Sequence, residues 1–326
     1  MKRRDAVLSL LALGMAPLAR AQPPRLPVVA CLSNSSPAAS SHLFASLARG
    51  LNEAGYVDGK NVAIEYRFSD GRSEQLPGFV ADFVKRRVAV IVATGGSVTW
   101  APARAAYPSI PIVFTGGGDP VKLGLVSSLG RPGGSATGVT TNSTGLTQKR
   151  LQLLLEIAPA ATTISVLAYI GGDPNGNEFV KEVQAAARTG GSKIHIVNVH
   201  TERDFDAAFA EMAKNRSGAL LVSSSPFLLG RRAQLVALAA KHAVPASYAF
   251  PEFVDAGGLM SYGVNLSEIY RHAGDYAGRI LKGTKPADLP VLQPTVFELA
   301  INLNTAKALG LRIPQSVLVR ADKVVE

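Results

Sequence analysis

Val88-Ala89-Val90-Ile91-Val92-Ala93-Thr94-Gly95-Gly96-Ser97 is the stretch that decides the fold. Six consecutive apolar residues, four of them β-branched, read as a short strand buried on both faces. Thr94 to Ser97 break the strand, and residues 98–106 follow as a helix. Gly95 and Gly96 permit a sharp turn and a close backbone approach to a ligand. Ser97 suits a helix N-cap, and free N–H groups at such a helix start hold a carboxylate or phosphate. The same residues also make an ordinary strand-to-helix turn with a good cap, so the rest of the chain must decide between a site and a turn.

Working outward, the flanking segments repeat the same grammar. Before this stretch, residues 26–32 form a strand ending at Ser33-Asn34-Ser35-Ser36-Pro37. Residues 40–54 form a helix closed by Gly55, residues 61–68 a strand, and residues 74–87 a helix with Leu76, Phe79, Val80 and Phe83 on one face. After it come a strand at 110–114 with the turn Thr115-Gly116-Gly117-Gly118-Asp119-Pro120, a short helix at 121–129 and a strand at 137–140. Repeated β-α units imply a parallel sheet covered by helices. After Asn142 the pattern restarts. Helices are expected at 145–157, 178–188, 202–216 and 231–242, and strands at 163–169, 193–199, 219–222 and 245–249. The tail adds a strand at 259–262, a long helix at 267–282, a Pro-rich crossing at 286–294, a strand at 297–303 and a helix at 305–309. The expectation is an α/β protein of two doubly wound parallel-sheet lobes.

In open parallel sheets, ligands sit beyond the carboxyl ends of the strands. Here those ends are uniformly small and polar or Gly-rich: Ser33–Ser36, Thr94–Ser97, Thr115–Asp119, Gly171–Asn175 and Ser223–Phe227. Two such rims facing each other make a cleft for a compact polar solute.

Composition narrows the class. With 326 residues the chain can build two real cores. The net charge of +10 is dispersed, with no basic block longer than Lys85-Arg86-Arg87, and aromatic residues make up only 6%. Both facts argue against nucleic-acid binding. Lys2, Arg3 and Arg4, the apolar run 6–18 and Ala19-Arg20-Ala21 read as a signal peptide occupying residues 1–21 and cleaved after Ala21, with Sec and twin-arginine export both open. No later segment is apolar enough for a transmembrane helix, so a soluble periplasmic product is expected. Cys31, the sole cysteine, allows no internal disulfide and reads as a small hydrophobe within the first strand.

Several stretches resemble the ABC-transporter substrate-binding proteins whose better-known relatives bind tryptophan and other aromatic amino acids. They are Gly50-Leu51 with Glu53-Ala54-Gly55-Tyr56; Ile110-Pro111-Ile112-Val113-Phe114; and Arg131-Pro132-Gly133-Gly134 leading to Thr137-Gly138-Val139-Thr140. Further on are Ala277-Gly278-Arg279-Ile280-Leu281-Lys282-Gly283, Lys285-Pro286-Ala287-Asp288-Leu289-Pro290, Gln293-Pro294-Thr295 and residues 305–311. The resemblance spans about residues 27–326. It implies the type I periplasmic-binding-protein fold, with two lobes joined by three crossovers. The N-terminal lobe would be 27–141 plus 260–290, and the C-terminal lobe 142–259 plus 291–326. It further implies a monomer that captures a small carboxylate-bearing solute, without cofactor or metal, and delivers it to an ABC permease.

By the same resemblance the ligand carboxylate meets Thr94, Gly95, Gly96 and Ser97, with Ser33, Asn34, Ser35, Thr115, Gly116 and Asp119 completing the first wall. The second lobe would offer Asn142, Tyr169, Asn175, Ser225, Phe227, Tyr248 and Glu252, with Tyr262 near a crossover. One departure stands out. Amino-acid-binding members place an acid or amide near Ser225 to meet the ammonium, whereas this chain has Ser224-Ser225-Pro226-Phe227. Within a solute class of amino acids and aromatic or aliphatic acids, that departure counts against an α-amino acid and leaves room for an aromatic or aliphatic carboxylate. Other roles also fit: Asp119 as a cap, Phe227 and Tyr248 as packing aromatics, Glu252 as a solvated loop carboxylate, and Asn142 and Tyr262 as hinge residues.

No catalytic constellation accompanies this. The histidines lack H-E-x-x-H or zinc spacing, no G-x-S-x-G elbow occurs, and the P-loop-like run 278–285 has its Lys and Thr transposed inside a helix. An enzyme is therefore not expected. A sensor's ligand-binding component and an exported α/β enzyme are the alternatives.

Overall fold

A computed structural model describes residues 26–107, 109–141, 145–170, 174–190 and 192–326. The signal-peptide assignment lies outside these residues.

The strands are β1 (Val28–Ser33), β2 (Ala63–Phe68), β3 (Val90–Thr94), β4 (Ile112–Gly116), β5 (Ala136–Thr140), β6 (Thr163–Tyr169), β7 (Lys193–Val199), β8 (Ala219–Val222), β9 (Ala246–Tyr248), β10 (Met260–Gly263), β11 (Glu298–Asn302) and β12 (Lys323–Val325). The helices are α1 (Pro37–Glu53), α2 (Leu76–Arg86), α3 (Ser97–Ala103), α4 (Leu146–Ile157), α5 (Pro174–Gly190), α6 (Phe205–Lys214), α7 (Pro226–Gly230), α8 (Arg232–Lys241), α9 (Pro251–Asp255), α10 (Leu266–Leu281), α11 (Leu303–Ala308) and α12 (Gln315–Leu318).

The first sheet has the order β2-β1-β3-β4-β5, all parallel. Its strands alternate between two covered faces. Val29, Cys31, Val92 and Val113 pack with Leu43, Phe44, Leu47 and Ala273. Ala30, Leu32, Ile91, Ala93 and Phe114 pack with Leu76, Val80, Phe83 and Trp100 on the other side. This two-sided burial explains why β1 and β3 read as continuous apolar runs. Cys31 is fully buried, and burial pushes its thiol pKa up. The second sheet has the order β12-β11-β10-β9-β8-β6-β7. It is parallel except where β11 pairs antiparallel with β10, Met260 facing Ile301, so the returning tail adds two reversed strands to an otherwise parallel sheet.

Two local expectations fail for identifiable reasons. The helix expected at 121–129 is a series of turns. The Asp119 carboxylate accepts from the N–H groups of Val121 and Lys122, and Gly124 sits at φ 66°. The N-cap of α3 is Gly96 at φ 82°, not Ser97, which is already helical.

The lobe boundaries also differ from the sequence reading. β10, expected in the first lobe, pairs with β9 in the second sheet. The chain crosses after Gly263, and α10, capped by Asn265, packs on α1 and the first sheet. It is still on the first lobe at Leu292, which bridges Val139 in parallel, and returns to the second lobe with β11.

The α1–α10 seam is unusually tight. A Cβ built on Gly50 would stand 1.9 Å from the Arg271 carbonyl oxygen, and one on Gly274 2.0 Å from that of Leu47. Only glycine lets these two backbones meet. Phe44 and Tyr270 then pack edge to face with centroids 5.4 Å apart. Gly274→Val should therefore force the helices apart and lower stability by about 2–3 kcal/mol, read as a lower urea midpoint with an unchanged m-value. Gly130→Ala, where an added Cβ meets nothing within 4 Å, should leave the midpoint within error. Equal midpoints for both variants would refute the seam's role.

Candidate functional site

Register builds the first wall. Ser33 pairs with Thr94 and Thr94 with Thr115, so the ends of β1, β3 and β4 fall in one row. Beyond it the turns interlock. The Thr115 carbonyl oxygen accepts from the N–H groups of Gly95 (3.2 Å) and Gly96 (2.9 Å) and from Trp100 Nε1 (3.0 Å). A Cβ on Gly116 would lie 2.4 Å from the Gly96 nitrogen, so these turns touch backbone to backbone. The amides of Gly95 and Gly96 are thus spent inside the wall and are not open to a carboxylate. A hydroxyl chain continues the wall: Ser33 Oγ lies 2.9 Å from Ser35 Oγ, which donates to Ser40 Oγ, which donates to the Ser36 carbonyl.

The facing wall comes from α4, α5 and the ends of β8 and β9. Between the walls lies a cavity of about 400 Å³. Ser33, Ser35, Gly95, Gly96, Thr115, Gly116 and Asp119 of the sequence-derived set line it.

The other residues of that set lie elsewhere. Asn34 accepts from Ser69 Oγ at 2.6 Å, and Thr94 donates to the Leu32 carbonyl. Ser97 is buried at the start of α3. Ser225 caps α7, accepting from the Phe227 N–H. Tyr169 and Phe227 stack on each other at 4.4 Å, and the Arg231 guanidinium covers Phe227. Tyr248 stacks on Phe253 within the second lobe, and burial pushes its hydroxyl pKa up. Glu252 faces His42 of the first lobe, Oε1 to Nε2 3.3 Å. Tyr262 packs against Phe297. Asn142 lies outside the described residues, and of Asn175 only its helical backbone is described. Packing explains the misplacements: an aromatic ring near a strand end fills its own lobe as readily as a cleft.

The cavity also has residues that sequence reasoning missed. Leu43, Phe250, Leu266, Ile269 and Tyr270 form an apolar side. Burial raises the Tyr270 hydroxyl to about 12. Opposite stand Thr147, Arg150, Phe179 and Glu182. Arg150 is only 3% exposed; its Nη1 donates to the Val222 carbonyl at 2.9 Å, and its guanidinium lies 5.5 Å from the Phe179 ring centroid. Burial lowers its pKa to about 10, partly countered by Glu182, so it remains a cation at neutral pH. Thr147 Oγ1 donates to Glu182 Oε2 at 2.8 Å. A signal for Arg150 exists in the sequence. Thr147, Arg150, Leu151 and Leu154 share the buried stripe of α4 at helical spacing, and a cation on that stripe is out of place unless a cavity or partner meets it.

Among the described residues two ion pairs join the lobes at the cleft's edges, His42–Glu252, and Arg231 Nη2 to Asp70 Oδ1 at 4.0 Å, and Pro226 and Phe227 also approach Gly95 and Gly71 across the gap. The structure is therefore that of two lobes closed on a cavity.

Comparison with known proteins agrees with this architecture. A curated tyrosine-binding protein of Clostridioides difficile is 26% identical over 267 residues, covering 81% of this chain and 75% of that protein. The crystal structure of a conserved domain protein from Vibrio cholerae superposes with a TM-score of 0.84 at 26% identity, covering 92% of this chain and all of that one. An ABC domain from Streptococcus pneumoniae, solved in complex with L-Trp, superposes at 0.83 with 24% identity over the same shares and so shares the fold. The family model for ABC transporter substrate binding proteins matches residues 29–325. This chain, with two lobes and a cleft at the strand ends, belongs to the ABC transporter substrate-binding protein family.

Proposed function

We propose that this chain is the extracytoplasmic receptor of an ABC importer, that it captures a small carboxylate-bearing solute between its lobes, and that it passes the solute to a membrane permease. The observation that carries the reading is the cavity: about 400 Å³ between the two lobes, with much of its lining apolar and a buried cation, Arg150, at its border. That volume is at the lower end of the range for small-molecule sites. A buried cation favours an anionic group in whatever fills the space, and the apolar side favours an aromatic or branched body. The relatives support the same class, one named for tyrosine and one solved with L-Trp. Solute binding then stabilises the closed arrangement, the state a permease can distinguish from an empty, open one. Among the described residues no helix is long and apolar enough to cross a membrane, which agrees with a receptor that works beside a separate permease. The protein acts as a carrier that leaves its solute chemically unchanged, and it acts as a monomer.

The direct test is a thermal-shift screen of the mature chain against amino acids, aromatic acids and short-chain carboxylates. A solute at a hundredfold excess over its Kd should stabilise the fold by about 2.7 kcal/mol. Silence across the whole carboxylate panel would sink the proposal. A second test separates cleft from core. Phe250→Ala should weaken binding of any solute found, by about tenfold or more, as titration calorimetry would show. Tyr248→Phe should leave the affinity unchanged. Its hydroxyl is buried with no hydrogen-bond partner among the described residues, so losing it should be neutral or slightly stabilising.

A further inference from the structure

The carboxylate anchor is the feature the cleft's geometry reassigns. The Gly95-Gly96 turn has spent its amides on Thr115. Lys122 lines the cavity but its side chain is 80% exposed, at the mouth. Arg150 is the cation inside. One of its N–H groups is held by the Val222 carbonyl. Among the described residues no carboxylate lies within ion-pair distance of it, while its side chain borders the cavity. A buried guanidinium with unfilled donors matches a carboxylate's two oxygens better than any backbone group left in the wall.

Glu182 supplies the complement. It borders the same cavity, and its charge is felt by Arg150. Oε2 is fixed by Thr147, whereas Oε1 has no partner among the described residues. The other two acids of the lining are less available. Asp119 accepts two backbone N–H groups of its own turn, and Glu178, 62% exposed, pairs with Lys181. Arg150 and Glu182 thus stand as opposite charges that lie in one cavity without closing on each other.

We propose that Arg150 anchors the solute's carboxylate and that Glu182 receives a cationic group on the same solute, so that the cleft selects molecules carrying both charges over simple carboxylates. A solute with both charges completes both half-filled groups and leaves the charge of the Arg150–Glu182 pair balanced. A plain carboxylate satisfies Arg150 and leaves Glu182 facing a second negative charge in a desolvated space, where like charges repel strongly. This assignment rests on the solute-capture reading. It also answers the missing acid near Ser225: the ammonium partner is supplied from α5 rather than from the end of β8.

The experiment uses two matched sets of probes. One is L-phenylalanine, 3-phenylpropanoate and 2-phenylethylamine; the other is L-leucine, 4-methylpentanoate and 3-methylbutylamine. Each is titrated by calorimetry into the mature wild type, Arg150→Met, Arg150→Lys and Glu182→Gln, with ligand-free melting curves to establish folding. In at least one set the wild type should bind the amino acid at least about tenfold more tightly than the plain acid. Arg150→Met should weaken both by at least about 30-fold and leave the amine's weak binding unmoved, an effect that general loosening of α4 would not produce. Arg150→Lys, which keeps the charge and loses the fork, should fall between and decides the matter if the Met variant does not fold. Glu182→Gln should weaken the amino acid by about tenfold and leave the plain acid unchanged or tighter. If folded Arg150 variants bind the acids as the wild type does, the anchor is elsewhere while solute capture stands. If Glu182→Gln weakens amino acid and plain acid alike, the cationic half of the proposal fails. If the wild type binds none of the six probes, this assignment fails, while the solute-capture reading is decided by the wider carboxylate panel.

Discussion

The backbone contact between α1 and α10 is the constraint from which the architecture follows. α10 comes directly after a strand of the second sheet, yet Gly50 and Gly274 seat it against α1 on the first lobe. To reach that seam the chain must leave the second lobe after Gly263, and to complete the second sheet it must return after Leu292. Two of the three crossings are therefore consequences of one helix–helix seam. The seam also sets the cleft. The first turns of α10 carry Leu266, Ile269 and Tyr270 over the strand ends, and Tyr270 is held there by its edge-to-face contact with Phe44.

The first wall shows a division of labour that the Gly-rich rims conceal. Glycines at positive φ allow the turns after β3 and β4 to interlock at van der Waals range, and the Thr115 carbonyl gathers three donors. The result is a rigid surface whose backbone polarity is satisfied internally. Charge recognition is left to side chains on the opposite wall, where α4 and α5 present Arg150 and Glu182. Small residues thus shape the space, and the ionised groups stand across it.

The sequence made the first sheet and most of the second legible because buried strands and amphipathic helices leave strong periodic marks. β6, β7 and β8 occur where the apolar runs place them. The first wall was legible for the same reason, since small residues at strand ends are visible without any partner. The second wall was not. Whether Phe227 points to a cleft or onto Tyr169 depends on packing that spans 58 positions of chain. Arg150 was hidden by its element: on a helix read only for apolar periodicity, a lone arginine on the inner stripe passes as an interruption. The turns at 121–129 were misread because one carboxylate, Asp119, closes them locally against a weak helical pattern.

The lips of the cleft hold one more lesson in how the lobes part. Arg231 lies over Phe227 and pairs with Glu202 of its own lobe at 3.0 Å, while its contact with Asp70 across the gap is the longer one. Were the lobes to separate, that guanidinium would keep its ring and its nearer carboxylate and give up only the longer contact. Surface pairs of this kind are worth about 0–1 kcal/mol. The lips therefore act as a guide rail rather than a clasp. They set how the two halves meet, while the packing of Pro226 and Phe227 against Gly95 and Gly71 adds apolar contact between them.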